Sequence, residues 1–265
     1  LKPIERMVIG KLEAGMDPLA ALQLGFQTIL CSPSFIYLQE GNGPLDGYSL
    51  ASRLSYFLWS SQPDEILLEH AKSGRLSNAN VLDAEVDRML KDPRSQRFVN
   101  QFVQRWLDWD NIGEMPVSEN FRVYFRDNLE SAMAAETKMF FRQILDENLP
   151  PKRFLDADYT FVNRELAAHY GLAPVQGNHL RQVSTKGTVR GGLMTQGSFL
   201  TASANGVDTS PVVRGIYALE KVLGYTPPPP PDDVPEIEPD IRGALTVREE
   251  LAKHRSIATC AECHR

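Results

Sequence analysis

The stretch SENFRVYFRDNLESAMAAETKMFFRQILDEN, Ser118 to Asn148, decides the fold class. Phe121, Phe125, Leu129, Ala132, Met133, Glu136, Phe140 and Ile144 recur at three- and four-residue intervals. That is the spacing of one helix face, and it predicts an amphipathic helix of about eight turns. No alternation of period two competes with it, so the stretch argues for helix packed on helix.

The same pattern extends in both directions. Upstream, MDPLAALQLGFQTIL carries Asp17 as a helix cap, Pro18 at the first helical position, and Leu19, Leu22, Phe26 and Ile29 on one face. YSLASRLSYFLWSS and QPDEILLEHAKSG predict two more helices, the second running from Pro63 to Gly74. A further pair is split at Pro93, and Trp59, Trp106 and Trp109 fall on apolar helices as core residues. Cys31, after an apolar run, is expected to be a buried, inert thiol. Downstream, RELAAHYG ends at Gly171, and LRQVST (180–185) is the one strand the pattern allows. RGGLMTQGSFLTASANG and TSPVVRGIYALEKVLG add two helices, with Gly191 and Gly192 expected at a tight turn or close packing. The expected class is all-α, a multi-helix orthogonal bundle of nine or ten helices.

Composition changes sharply at Pro227. Five consecutive prolines lead into DDVPEIEPD. Such a stretch favours polyproline II and acts as a semi-rigid spacer, about 15 Å long for the five prolines alone at 3.1 Å each. Beyond it, TVREELAKHRS predicts a short helix with Thr246 and Glu249 as a capping box. The expected organisation is a short helical domain ending near residue 40, a helical domain over 45–172, a packed helical segment over 180–226, a linker over 227–243, and the start of a truncated module over 244–265.

The chain has 265 residues and a net charge of −6, with 42% hydrophobic and 23% charged residues. An acidic balance of this kind argues against a nucleic-acid partner. No apolar run approaches the 18 to 20 residues of a membrane span. Three cysteines exclude a disulfide framework. The chain starts at Leu1 without Met and reads as an internal piece of a longer protein.

The chemistry is concentrated in TCAECHR, the last seven residues. Cys260, Cys263 and His264 form C-x-x-C-H, the attachment signature of a c-type haem. On a helical turn, positions i, i+3 and i+4 share a face, so two thiols can bond the porphyrin vinyl groups while the imidazole takes the iron. A structural zinc site would need further ligands, and His254 is the only other one nearby. A thioredoxin-like dithiol would need a βαβ setting that the helical pattern lacks. The other axial ligand is expected beyond Arg265, with His254 the alternative within the chain. The exact chain should therefore carry a motif without a full pocket, with His264 exposed.

Elsewhere no catalytic constellation is legible. His70, His169 and His179 are scattered, and His169 sits at a helix C-terminus, where a partly charged imidazole is favoured. Asp156 and Asp158 in LDADYTFVN would share a face if extended, but serve more often as caps or turns. H-E-x-x-H, G-x-S-x-G, P-loop and Rossmann patterns are missing.

Several stretches together resemble the large planctomycete-type c-type cytochromes built from domains of unknown function. LGFQTILCSPSFIYLQE is similar to the end of block 1595, YSLASRLSYFLWSSQPDEILLEHAKSGRL through AAHYGL to block 1592, and HLRQV onward to the start of block 1588. The proline run followed by H-R-x₄-C-x-x-C-H is the most specific part. The resemblance implies one covalent haem c on Cys260 and Cys263, iron ligation by His264, a periplasmic or envelope location, and a redox partner protein or another haem domain. A haem-linked oxidoreductase or hydrolytic enzyme acting on a polysaccharide-like substrate, or a structural envelope module, is the alternative.

Overall fold

A computed structural model of the chain describes residues 2–37, 40, 42–109, 118–204, 206–207, 211–228 and 246–256. The chain divides into two compact units, Leu1–Asn100 and Gln101–Arg265.

The first unit opens with α1 (Lys2–Glu13) and α2 (Pro18–Leu30), which pair as a hairpin. Asp17 caps α2 by accepting from the Ala20 N–H at 3.0 Å, with Pro18 at the first position, as expected. The buried side of α2 is not the one its large residues predict. Ala21 and Gly25 are buried, while Leu19, Leu22 and Phe26 are 52–65% exposed. Small residues let a neighbouring helix approach closely, and Val8 of α1 occupies that side at Gly25. Cys31 is likewise exposed, contrary to the buried thiol the sequence suggested; it ends α2 with its N–H on the Gln27 carbonyl, outside any core.

After the short α3 (Pro33–Ile36), α4 (Gly47–Trp59) and α5 (Glu65–Lys72) start from Asp46 and Asp64, whose carboxylates accept from Ser49 and Leu67 N–H groups. α6 (Ala79–Lys91) follows, and the chain breaks at Pro93 before α7 (Gln96–Trp106). Trp59 centres this unit. It is fully buried, donates to the Met89 carbonyl at 2.9 Å, and carries the Arg94 guanidinium 3.4 Å above its ring. Asp64 and Asp92 hold Arg88 and Arg94 in place.

In the second unit the long helix is interrupted. A short α8 (Arg122–Arg126) stops at Asp127, and α9 (Leu129–Asp146) restarts after Asn128, whose φ is +49°. Asn tolerates this left-handed conformation better than most residues. The break frees Phe121 and Phe125 from the stripe, and both are exposed, whereas Leu129, Ala132, Met133, Glu136, Phe140 and Ile144 are buried as predicted.

β1 (Tyr159–Val162) then lies along α9 and pairs antiparallel with β2 (Arg181–Ser184), in register Tyr159 to Ser184 and Val162 to Arg181. The fold is therefore mostly helical but not all-α. LRQVST is a strand, as its pattern allowed, and its partner comes from YTFV. The two-stranded sheet exists because α9 buries Thr160, Phe161 and Val162. Between the strands, α10 (Arg164–Tyr170) is capped by Asn163 and ended by Gly171 at φ +65°.

Gly191 and Gly192 begin the return across this layer. Gly192 has φ +68°, and a Cβ there would sit 2.6 Å from the Phe154 carbonyl oxygen, so only glycine fits. α11 (Gly197–Ala202) and α12 (Pro211–Lys221) follow. α13 (Val247–Arg255) has the expected capping box: Glu249 accepts from the Thr246 N–H at 3.0 Å, and its own N–H reaches Thr246 Oγ1 at 3.3 Å. Among the described residues no helix is long and apolar enough to cross a membrane.

Candidate functional site

Cys260, Cys263 and His264 lie outside the described residues, as does most of the proline-rich linker. The last described helix before them in sequence is α13, which ends at Arg255, five residues before Cys260.

Within the second unit the most unusual chemistry surrounds Glu136. It stands in the middle of α9, fully buried, on a face otherwise made of Met133, Phe140 and other apolar groups. Both carboxyl oxygens are used: one accepts from Thr160 Oγ1 on β1, the other from Tyr170 Oη on α10 at 2.6 Å. Tyr170 Oη in turn accepts from the Gly197 N–H at 2.6 Å. The Arg190 guanidinium stacks 3.5 Å above the Tyr170 ring and donates to the Thr195 carbonyl at 2.7 Å. Beside them Thr137 Oγ1 donates to Gln196 Oε1 and lies 2.7 Å from Ser198 Oγ.

Burial pushes the Glu136 carboxyl up to about 7, against the downward pull of the Thr160 and Tyr170 hydroxyls and the Arg190 charge. Burial, followed by the charge of Glu136, also raises the Tyr170 phenol far above its usual range, which keeps it a hydrogen-bond donor. A carboxylate taken out of water without a directly paired cation is costly, and taking up a proton relieves that cost. Chemically, the cluster can hold or release a proton.

These partners come from α9, β1, α10 and the 190–197 return, which are far apart in sequence. Arg190 and Gly197 stand at the head of one stretch, Glu136, Thr160 and Tyr170 near the end of another. The comparisons place a border between them. Residues 45–172 match PSD4, a protein of unknown function (DUF1592). Residues 190–265 match PSCyt3, a protein of unknown function (DUF1588). The Glu136 cluster thus joins the DUF1592 stretch to the DUF1588 stretch. The DUF1588 match runs through Cys260, Cys263 and His264, and residues 1–44 fall outside both matches. No curated protein and no solved structure matches the chain.

A second feature of the DUF1592 stretch is an open polar cleft of about 470 Å³, which extends to Asn178 and Leu180. Arg126, Asp127, Asn128, Ser131, Asn163 and Arg164 line it. Its cations are already engaged, Arg126 with Asp127 at 2.6 Å and Arg164 with Glu165 at 2.6 Å. The lining therefore offers three side-chain amides and one hydroxyl with little net charge, which suits a small polar molecule.

The other candidates resolve into structural roles. His169 ends α10, but burial and Arg190 hold its imidazole below the ordinary value, so the charged form expected at a helix end is disfavoured there. Asp158 pairs with Lys186 at 3.0 Å and Asp156 with Lys152 at 3.4 Å, so the two do not share a cation site. Among the described residues no group of His, Cys, Asp and Glu is arranged to hold a metal. The helical spacing of its neighbours puts Glu136 on the buried face of its helix, but its chemistry is not visible in the sequence. The signal available was a lone acid in an otherwise apolar stripe.

Proposed function

We propose that this chain belongs to an extracytoplasmic electron-transfer protein and carries one covalent haem c on Cys260 and Cys263, with His264 as an axial iron ligand. The observation that carries this reading is the intact C-x-x-C-H motif inside the stretch matched by a family model with a cytochrome-like name, PSCyt3. The donor set suits the group: two thiols three residues apart for two thioether bonds, and an adjacent imidazole for iron. When bound, the haem supplies a one-electron couple. The chain's own contribution is attachment, spacing and docking.

In sequence the capped helix α13 precedes the motif, and the composition of 227–243 is that of a semi-rigid spacer between the helical body and the haem segment. The body then serves as a platform for a redox partner protein or another haem domain. Because haem c is attached outside the cytoplasm, the protein works in the periplasm or cell envelope. The test is expression with a haem c maturation system. Haem that stays with the polypeptide through acid-acetone extraction, and is lost in the Cys260→Ala, Cys263→Ala double variant, supports the reading; a colourless polypeptide overturns it.

A further inference from the structure

A small cavity lies against Glu136 in the second unit. Besides Glu136, Thr160 and Tyr170 it is lined by Tyr159, Thr185, Gln196 and the return from Arg190 to Thr195. Its volume is about 10 Å³, the space of one water-sized sphere. Three polar atoms of these lining residues are buried and make no hydrogen bond among the described residues: Tyr159 Oη, Thr185 Oγ1 and Gln196 Nε2. Thr185 and Gln196 are each only 2% exposed.

Buried polar groups without partners are costly, and a water needs two to four such partners to be held. A hydroxyl from each of Tyr159 and Thr185 and an amide N–H from Gln196 supply three. The neighbours offer no alternative: Gln196 Oε1 is taken by Thr137, and Thr195 Oγ1 by the Gly191 N–H at 2.8 Å.

We propose that this cavity binds one internal water among Thr185, Gln196 and Tyr159, and that this water is the route by which the Glu136 carboxyl exchanges its proton with solvent. The step is a proton transfer alone. A hydronium from bulk gives a proton to the cavity water, which passes one to a Glu136 carboxylate oxygen; release runs the same way in reverse, and no bond between heavy atoms changes. The groups facing Glu136 are Tyr159 and Thr160 on β1, Tyr170 on α10, Thr185 just after β2, and Arg190, Gln196 and the Gly197 N–H on the return; the charge acting on it across this packing is Arg190. Protonation adds a donor at one Glu136 oxygen, and the Thr160 hydroxyl can accept it by rotating, whereas Tyr170 stays a donor because its Oη already accepts from the Gly197 N–H. The proton therefore sets whether Thr160 donates to or accepts from Glu136, while the Gly197 N–H to Tyr170 bond that joins the DUF1592 and DUF1588 stretches keeps its direction. The position of Glu136 near neutrality supports this, and the inference does not depend on haem attachment.

The experiment is carbon NMR of the glutamate side-chain carboxyls across pH 5 to 9 in the whole chain, paired with a high-resolution crystal structure. The expected result is one carboxyl titrating well above the rest, absent in Glu136→Gln, and one ordered water bonded to Thr185 Oγ1 and Gln196 Nε2. Thr185→Val keeps the shape but removes a water ligand; it should lose the water and move that midpoint further up. If Glu136→Gln does not fold, the outlying resonance and its response to Thr185→Val still decide the matter. A dry cavity, a Glu136 carboxyl that titrates with the others, or a Thr185→Val midpoint that does not move overturns the proposal.

Discussion

At the residue scale, Glu136 makes stability depend on pH. Its carboxyl titrates near 7 in the fold against an ordinary 4.5, so the native state holds the proton more tightly than the unfolded chain. The stabilisation is complete below pH 4.5 and is lost as pH rises through 7. Between those limits it amounts to at most about 3 kcal/mol. Urea unfolding at pH 5 and pH 8 should show the chain less stable at pH 8, and Glu136→Gln should flatten that difference because the amide stays neutral. A stability that rises over this range through Glu136 would contradict the assignment. In the sequence, Glu136 was legible as a buried position because its neighbours at helical spacing are apolar. Its chemistry was not, because Thr160, Tyr170 and Gly197 reach it from 24, 34 and 61 residues away. Cys31 shows the opposite failure: an apolar run precedes it, yet nothing local told which side of α2 would be covered.

At the scale of elements, local chemistry predicted well wherever a cap or breaker acts alone. Asp17 with Pro18, Pro93, Gly171 and the Thr246–Glu249 box all behave as their residue types require. The long helix failed at Asn128, since an amphipathic stripe can continue across a one-residue kink without showing it. Asn128→Ala should cost about 1 kcal/mol, because alanine pays the left-handed penalty that Asn partly escapes, while Asn128→Gly should be neutral or slightly stabilising. Urea midpoints of the two variants check this, and a stabilising alanine would contradict the left-handed assignment. Thr246→Ala should weaken α13 by about 1 kcal/mol. Amide hydrogen exchange over 247–255 would then be several-fold faster; unchanged protection would mean that the capping box contributes nothing. The pairing of β1 with β2 was half legible. LRQVST has a strand pattern, whereas YTFV is buried on both sides and has no alternation to read.

At the scale of the whole molecule, residues 45–172 and 190–265 match separate families, yet Glu136, Tyr170, Arg190 and Gly197 bind their borders together within one compact unit. The fold class was legible as mostly helical, because helical periodicity dominates the sequence; the small sheet arises from tertiary burial along α9. The candidate haem site is a sequence motif that follows a proline-rich stretch and a capped helix in the chain, and its reading as an electron carrier stands on the chemistry of Cys260, Cys263 and His264. The most direct test is the visible spectrum of the chain matured with haem c and extracted under denaturing conditions. The expected result is one covalently bound haem per chain, abolished in the Cys260→Ala, Cys263→Ala double variant. A chain that binds no haem, or one that keeps it without both cysteines, would contradict it.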